Sequence, residues 1–333
     1  MPHGTPRHCV GPRVQAVLAL RSGACRLSRR QVQTLARDLF GLELSLGTLL
    51  ALEADTAAVL AQPYAEVAQA VVQEPVLFVD ETSWRKAGVL QWRWVVVSQR
   101  YACYRLDQRR NRNACRALLQ GGDGETAPGD PREPPPPCVT TDRYNVYGYL
   151  AAEQRSLCGS HLIREFLAAA ERGGIDAAVA HWVLDRLGEV LGHWRRFQAG
   201  ALDREALCLA VEPAQEGLRA PLTWGREQGS PRTRALCRYL RREWESLGAW
   251  LYVEGGEPTH NRAERALRGP VLWRKACPYG SSFGHQSEAG KQFVERMLTV
   301  VGTLRLQGRN VWDYLVAACR AALQSEPAPS LLA

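Results

Sequence analysis

The sequence predicts an α/β fold: a mixed sheet with flanking helices, interrupted by an all-α insertion and preceded by a helical region. Three observations carry this. Short β-rich runs cluster between residues 75 and 158 and alternate with helical patterns in the order β-β-β-α-β-α-β-α. Between about Gly174 and Gly256 the strand signals vanish, while Trp182, Trp194, Trp224, Trp244 and Trp250 recur among Leu, Ala and Arg at helical spacing. A chain of 333 residues with 46% hydrophobic content is long enough for a large core and two structural units.

Each element follows from local sequence. Residues 1–25 are rich in Pro, Gly and Arg and read as loosely ordered. A helical region spans 26–73: Ser28 is an N-cap for "RRQVQTLARDLF", Val32, Leu35, Ala36 and Leu39 share one face, and Gly41 ends the helix. A second helix starts near Ser45. The pair resembles a helix-turn-helix, yet its second helix carries Glu53 and Asp55 and no Lys or Arg, so a DNA reader and a packing hairpin both stay open. The first part of the core spans 74–173. It holds strands in "PVLFVD", "QWRWVVVSQ" and "RYACYRL", a hairpin turn at the glycine of "RKAGVLQ", and a helix in "NRNACRALLQ". An exposed Gly- and Pro-rich loop leads to a strand in "CVTTD", a helix near "NVYGYLAAE", a strand around "RSLCG" and a helix in "HLIREFLAAAERG". The helical insertion covers 174–256, the closing helices of the core lie in 257–322, and 323–333 form a tail. No internal repeat is found.

The net charge of +8, from 42 Lys and Arg against 34 Asp and Glu, fits a polyanionic partner, although solubility alone would also account for it. The ten cysteines are scattered without a C-x-x-C pair, which predicts reduced, mostly buried thiols. No apolar run has membrane-spanning length and no clean secretory signal opens the chain, so a cytoplasmic protein without membrane contact is expected.

Three acidic residues stand out. Asp80 ends the apolar run "VLFVD", where the chain is expected to leave the core; it suits a metal ligand, or a simple turn cap. Asp142 repeats the arrangement after "CVTT". Glu264 lies in "HNRAERALRGPVLWRK", with Asn261, Glu264 and Arg268 on one helical face and Arg262, Arg265, Arg268, Arg274 and Lys275 around a single carboxylate. An Asn261–Glu264 capping box and an ordinary helical ion pair remain alternatives there. Three carboxylates on two strand ends and a helix suit a pair of magnesium ions, which prefer oxygen ligands and serve in-line displacement at phosphorus.

The stretches "VLFVDETSW", "TTDRYNVY", "CGSHLIREF" and "NRAERALR" followed by "WRK" resemble the catalytic core of bacterial insertion-sequence transposases of the sixty-six family, within the wider DDE group. The resemblance runs from about Leu27 to Leu315. It implies an RNase H-like fold in which Asp80, Asp142 and Glu264 hold two Mg²⁺ ions, replaceable by Mn²⁺, with an insertion between the second aspartate and the glutamate. It also implies cleavage at each element end and attack of the freed 3′-OH on target DNA, without a covalent enzyme intermediate. The arginines and Lys275 are expected on donor-DNA phosphates. His161 and Asn261 are expected to support the acids or touch DNA, though a core histidine is as good a reading of His161.

Cys158 and His161 form a C-x-x-H pair, half a zinc site at best, so no structural zinc is expected. Double-stranded DNA is the expected partner, with a homo-oligomer on paired ends and accessory proteins of the same element. Family members commonly carry a cysteine-rich N-terminal segment and a further helical region, and the chain opens with neither. End recognition is then expected to be impaired or supplied by another protein. A transposase-derived DNA-binding protein and an RNase H-like nuclease are the alternatives.

Overall fold

The computed structural model describes residues 10–121, 138–275 and 287–332. The Gly- and Pro-rich loop between the third and fourth strands, and most of the Gly- and Ser-rich stretch after Lys275, lie outside them. The chain divides into two compact units. One gathers the described residues of 1–74, 80–131 and 263–333; the other gathers those of 75–79 and 132–262. Among the described residues, no helix is long and apolar enough to cross a membrane.

The first unit opens with α1 (Pro12–Gly23), in a region the sequence reads as loosely ordered. Pro12 suits a first helical position, and the helix buries Ala16, Leu18 and Ala19. In α2 (Arg29–Phe40), Ser28 and Gln31 form a reciprocal capping box, and Gly41 closes the helix at φ 63°. Val32 and Ala36 are buried as the periodicity predicts, whereas Leu39 is exposed. α3 (Leu46–Val59) is capped by Ser45, and its Glu53 is buried and paired with Arg29 at 2.8 Å. Its exposed positions 47, 50, 51, 54 and 58 are glycine, leucine and alanine, which offer nothing to a phosphate or base edge. That favours the packing hairpin. α4 (Ala61–Val71) follows.

β1 (Val76–Lys86) belongs to the second unit as far as Val79 and to the first from Asp80. Ala87 and Gly88, both at positive φ, make the tight turn into β2 (Val89–Val97), which pairs antiparallel with β3 (Ala102–Asp107). The sheet order is β3-β2-β1-β4-β5. α5 (Arg112–Leu119) is capped by Asn111.

β3 is an edge strand whose outward N–H groups need acceptors. They find them on α12 (Glu288–Leu306): Ala102 donates to Thr303 Oγ1 at 3.1 Å, Tyr104 to Thr299 Oγ1 at 3.0 Å, and Leu106 to Glu295 Oε1. Four residues of helix rise about 6 Å and two of strand about 6.7 Å, so every fourth helical side chain meets every second strand amide. Gly302 permits the close approach, since a Cβ there would lie 3.2 Å from that of Ala102. Burial pushes the Glu295 carboxyl up to about 6, against the lowering effect of Lys291, the Leu106 amide, Arg93 and Arg105. α11 (Asn261–Lys275), which straddles the unit boundary, and α13 (Val311–Leu323) are the other closing helices.

In the second unit, β1 runs parallel to β4 (Cys138–Thr141), and β4 parallel to β5 (Arg155–Leu157). The stretch "NVYGYLAAE" makes a 3-10 turn at Asn145–Tyr147 instead of the expected helix. The helices are α6 (Gly159–Ala170), α7 (Gly174–Gln198), α8 (Arg204–Glu216), α9 (Arg219–Gln228) and α10 (Pro231–Arg242), followed by two short 3-10 turns. Residues 174–256 contain no strand. Buried Phe166, Val179, Val183, Leu222, Leu236 and Leu240 join α6, α7, α9 and α10 into one core. Asp176 clasps the start of α7 to the start of α10. Burial alone would raise its carboxyl, but bonds from Arg172 and from the Ser230 hydroxyl and amide hold it well below the usual carboxylate range.

Candidate functional site

Val76 to Val79 are buried, and Asp80 is the first half-buried residue of β1. The sequence places the end of the strand at Asp80; the structure carries it on to Lys86. The extension is held by its own side chains. Glu81 is buried and accepts from Arg110 at 2.6 Å, and Trp84 lies buried with the Arg93 guanidinium 4.0 Å from its ring centre. Asp80 Oδ1 accepts the Glu81 amide at 2.8 Å, which orients the carboxylate.

Asp142 follows the last residue of β4, as expected. Its Oδ1 accepts the Tyr144 amide at 2.9 Å, an Asx turn that fixes the side chain. Its carbonyl accepts from Thr141 Oγ1 at 2.8 Å and from Arg155 at 2.9 Å. Arg155 also donates to Thr141 Oγ1 at 3.1 Å and is buried on β5. Sequence reading missed this brace, although an arginine opening a short apolar strand is its signal. On the parallel pair β1–β4, Phe78 stands opposite Thr140, and Asp80 and Asp142 each lie two residues beyond that pair.

Glu264 sits in the first turn of α11. The helix begins at Asn261. Ala263 and Leu267 are buried; Asn261, Arg265 and Arg268 are exposed; Glu264 is half-buried beside the buried stripe. The five basic residues divide. Arg262 pairs with Glu257 at 2.5 Å, and its guanidinium lies 5.7 Å from the Phe78 ring centre. Arg274 donates to Thr82 Oγ1 at 3.0 Å and to the Ser83 carbonyl at 3.1 Å. Arg265 and Arg268 face solvent. The Lys275 side chain lies outside the described residues.

His161, near the start of α6, accepts a hydrogen bond at Nε2 from Arg164 at 2.7 Å. Its ring meets that of His260 edge-on, with centroids 4.7 Å apart. Cys158, His161 and His260 bring one ligand atom each within 4.8 Å of one another. His260 was not legible as a partner of the C-x-x-H pair, because nothing local links residue 260 to residue 158.

No curated protein matches the chain. A family model described as "Transposase IS66 family" does match, over residues 9–290. That match covers most of the chain, which therefore belongs to the IS66 family of transposases.

Proposed function

We propose that this chain is a DNA transposase that cuts phosphodiester bonds at the ends of an insertion sequence and joins the freed strand to target DNA, using divalent metal ions. Membership of a transposase family makes DNA the substrate in general terms. The observation that supports the finer reading is the parallel pairing of β1, which carries Asp80, with β4, which leads to Asp142. The strand order β3-β2-β1-β4-β5, with an antiparallel hairpin leading a parallel trio, supports an RNase H-like core with 174–256 as its insertion.

Asp80, Asp142 and Glu264 are the proposed ligands of two Mg²⁺ or Mn²⁺ ions. The residue types fit: three carboxylates supply hard oxygen ligands, and each is half-buried. Bound there, the ions would neutralise charge on the attacking and leaving oxygens of an in-line displacement. The Glu81 and Tyr144 amides orient the two aspartates, and Arg155 fixes the backbone under Asp142. Exposed Arg265 and Arg268 hold DNA phosphates, and exposed Asn261 lies on the same surface of α11. Arg262 and Arg274 act as braces, given their existing partners.

The test is strand transfer of labelled element-end DNA by the purified full-length protein in Mg²⁺, with Asp80→Ala as control. Cleavage and joining that vanish in the variant support the proposal. Binding without cleavage would leave a DNA-binding protein derived from a transposase, and cleavage without joining would leave a nuclease.

A further inference from the structure

From the cluster of Cys158, His161 and His260 we infer, against the sequence expectation of no structural zinc, a second metal site, one that takes a zinc-class transition-metal ion and clasps the start of α6 to the residue that precedes α11. Its donors are one sulfur and two imidazoles, a set that suits Zn²⁺ and not Mg²⁺. It is separate in chemistry from the carboxylates proposed to hold Mg²⁺.

Five observations support it. The three ligand atoms lie within 4.8 Å of one another. Bond lengths of about 2.3 Å to sulfur and 2.0–2.1 Å to nitrogen put tetrahedral ligands about 3.3–3.6 Å apart, so side-chain adjustments of about 1 Å complete the site. Cys158 and His260 are buried, with 1% and 0% of their surface exposed, so the two are anchored by packing. The His260 amide donates to Cys158 Sγ at 3.4 Å, which fixes the sulfur beside His260, and Cys158 is the N-cap residue of a twelve-residue helix. The backbones are already joined beside the cluster, where the Gly159 amide donates to the Pro258 carbonyl at 2.8 Å. His161 is half-buried and Arg164 exposed.

Arg164 is the competitor. Its guanidinium donates to His161 Nε2, and a metal bound to that imidazole requires the arginine to swing into solvent. An exposed arginine does so at small cost, yet it weakens the site. Metal loading and the Arg164–His161 bond are therefore mutually exclusive, which makes the site adjustable by a residue that is not a ligand.

The test measures metal bound by the full-length protein after dialysis against Zn²⁺, and the absorption spectrum after loading with Co²⁺. One Zn²⁺ per chain is expected, with a sulfur-to-cobalt charge-transfer band and the visible bands of tetrahedral cobalt. Cys158→Ser should abolish the charge-transfer band, and His260→Gln should lower affinity at least tenfold. Arg164→Ala, at an exposed position, should raise affinity severalfold and add to the increase in Tm caused by Zn²⁺. Asp80→Ala should leave Zn²⁺ binding unchanged. Absence of retained zinc and of the cobalt bands in both the native protein and Arg164→Ala would overturn the inference. So would binding that is lost in Asp80→Ala but kept in Cys158→Ser. Neither result depends on DNA cleavage, so this inference and the transposase reading fail separately.

Discussion

Glu295 shows how one side chain can serve the fold and still cost it stability. It accepts the Leu106 amide at the edge of the sheet, and burial raises its carboxyl from the ordinary 4.5 to about 6. The folded chain then binds the proton more tightly than the unfolded one. Its contribution favours folding fully below pH 4.5 and is lost as pH rises through about 6. A shift of that size corresponds to about 2 kcal/mol. In Glu295→Gln the amide oxygen keeps the bond to Leu106 without titrating. The difference in unfolding free energy between pH 4.5 and pH 7, measured by urea denaturation, should change by about 2 kcal/mol relative to the native chain. An unchanged pH profile would mean that another group carries the effect. At the same scale, exposed Arg268 is proposed to neutralise a phosphate. Arg268→Ala should weaken DNA binding across sequences and reduce the slope of log affinity against log salt by about 1, read from fluorescence anisotropy titrations.

At the scale of elements, the ladder between α12 and β3 is the feature to perturb. Thr299→Val keeps the shape of the side chain and removes the acceptor for Tyr104, leaving a buried amide without its bond. The expected cost is about 1–3 kcal/mol in chemical denaturation, with little change in the denaturant slope. A loss near zero would show that the strand edge is satisfied in another way. This ladder was not legible in the sequence, because a threonine facing a strand reads the same as one facing a core. What was legible had local causes: Ser28 as a cap, a helix start near Ser45, Gly41 as a stop, and Gly88 in the hairpin turn. The misreadings also have physical reasons. Beyond Asp80 the polar letters "ETSWRK" hide a continuing strand, since Glu81 is neutralised by Arg110 and Trp84 is covered by Arg93. At the N-terminus, proline and glycine frame a helix without disrupting it, since Pro12 stands in its first turn and Gly23 in its last. The "NVYGYLAAE" pattern lacks a cap and carries glycine at position 148, and it stops after one 3-10 turn.

For the whole molecule, family membership was legible because several short motifs each matched, and the family model then covered residues 9–290. Asp142 was legible as a strand-end acid, whereas Asp80 lies within β1, which runs on to Lys86. The parallel pairing of β1 with β4 was not legible, since it depends on which strands become neighbours. The zinc-class cluster was half legible: Cys158 and His161 lie three residues apart, while His260 arrives from about a hundred residues downstream. The account as a whole depends on Asp80, Asp142 and Glu264 serving one metal-dependent reaction. Single-turnover cleavage of element-end DNA in Mg²⁺ tests that most directly, run on the native protein and on Asp80→Asn, Asp142→Asn and Glu264→Gln. Each substitution should cut the rate by roughly a hundredfold or more while DNA affinity stays near native; a native-like rate in any one of the three would contradict the account.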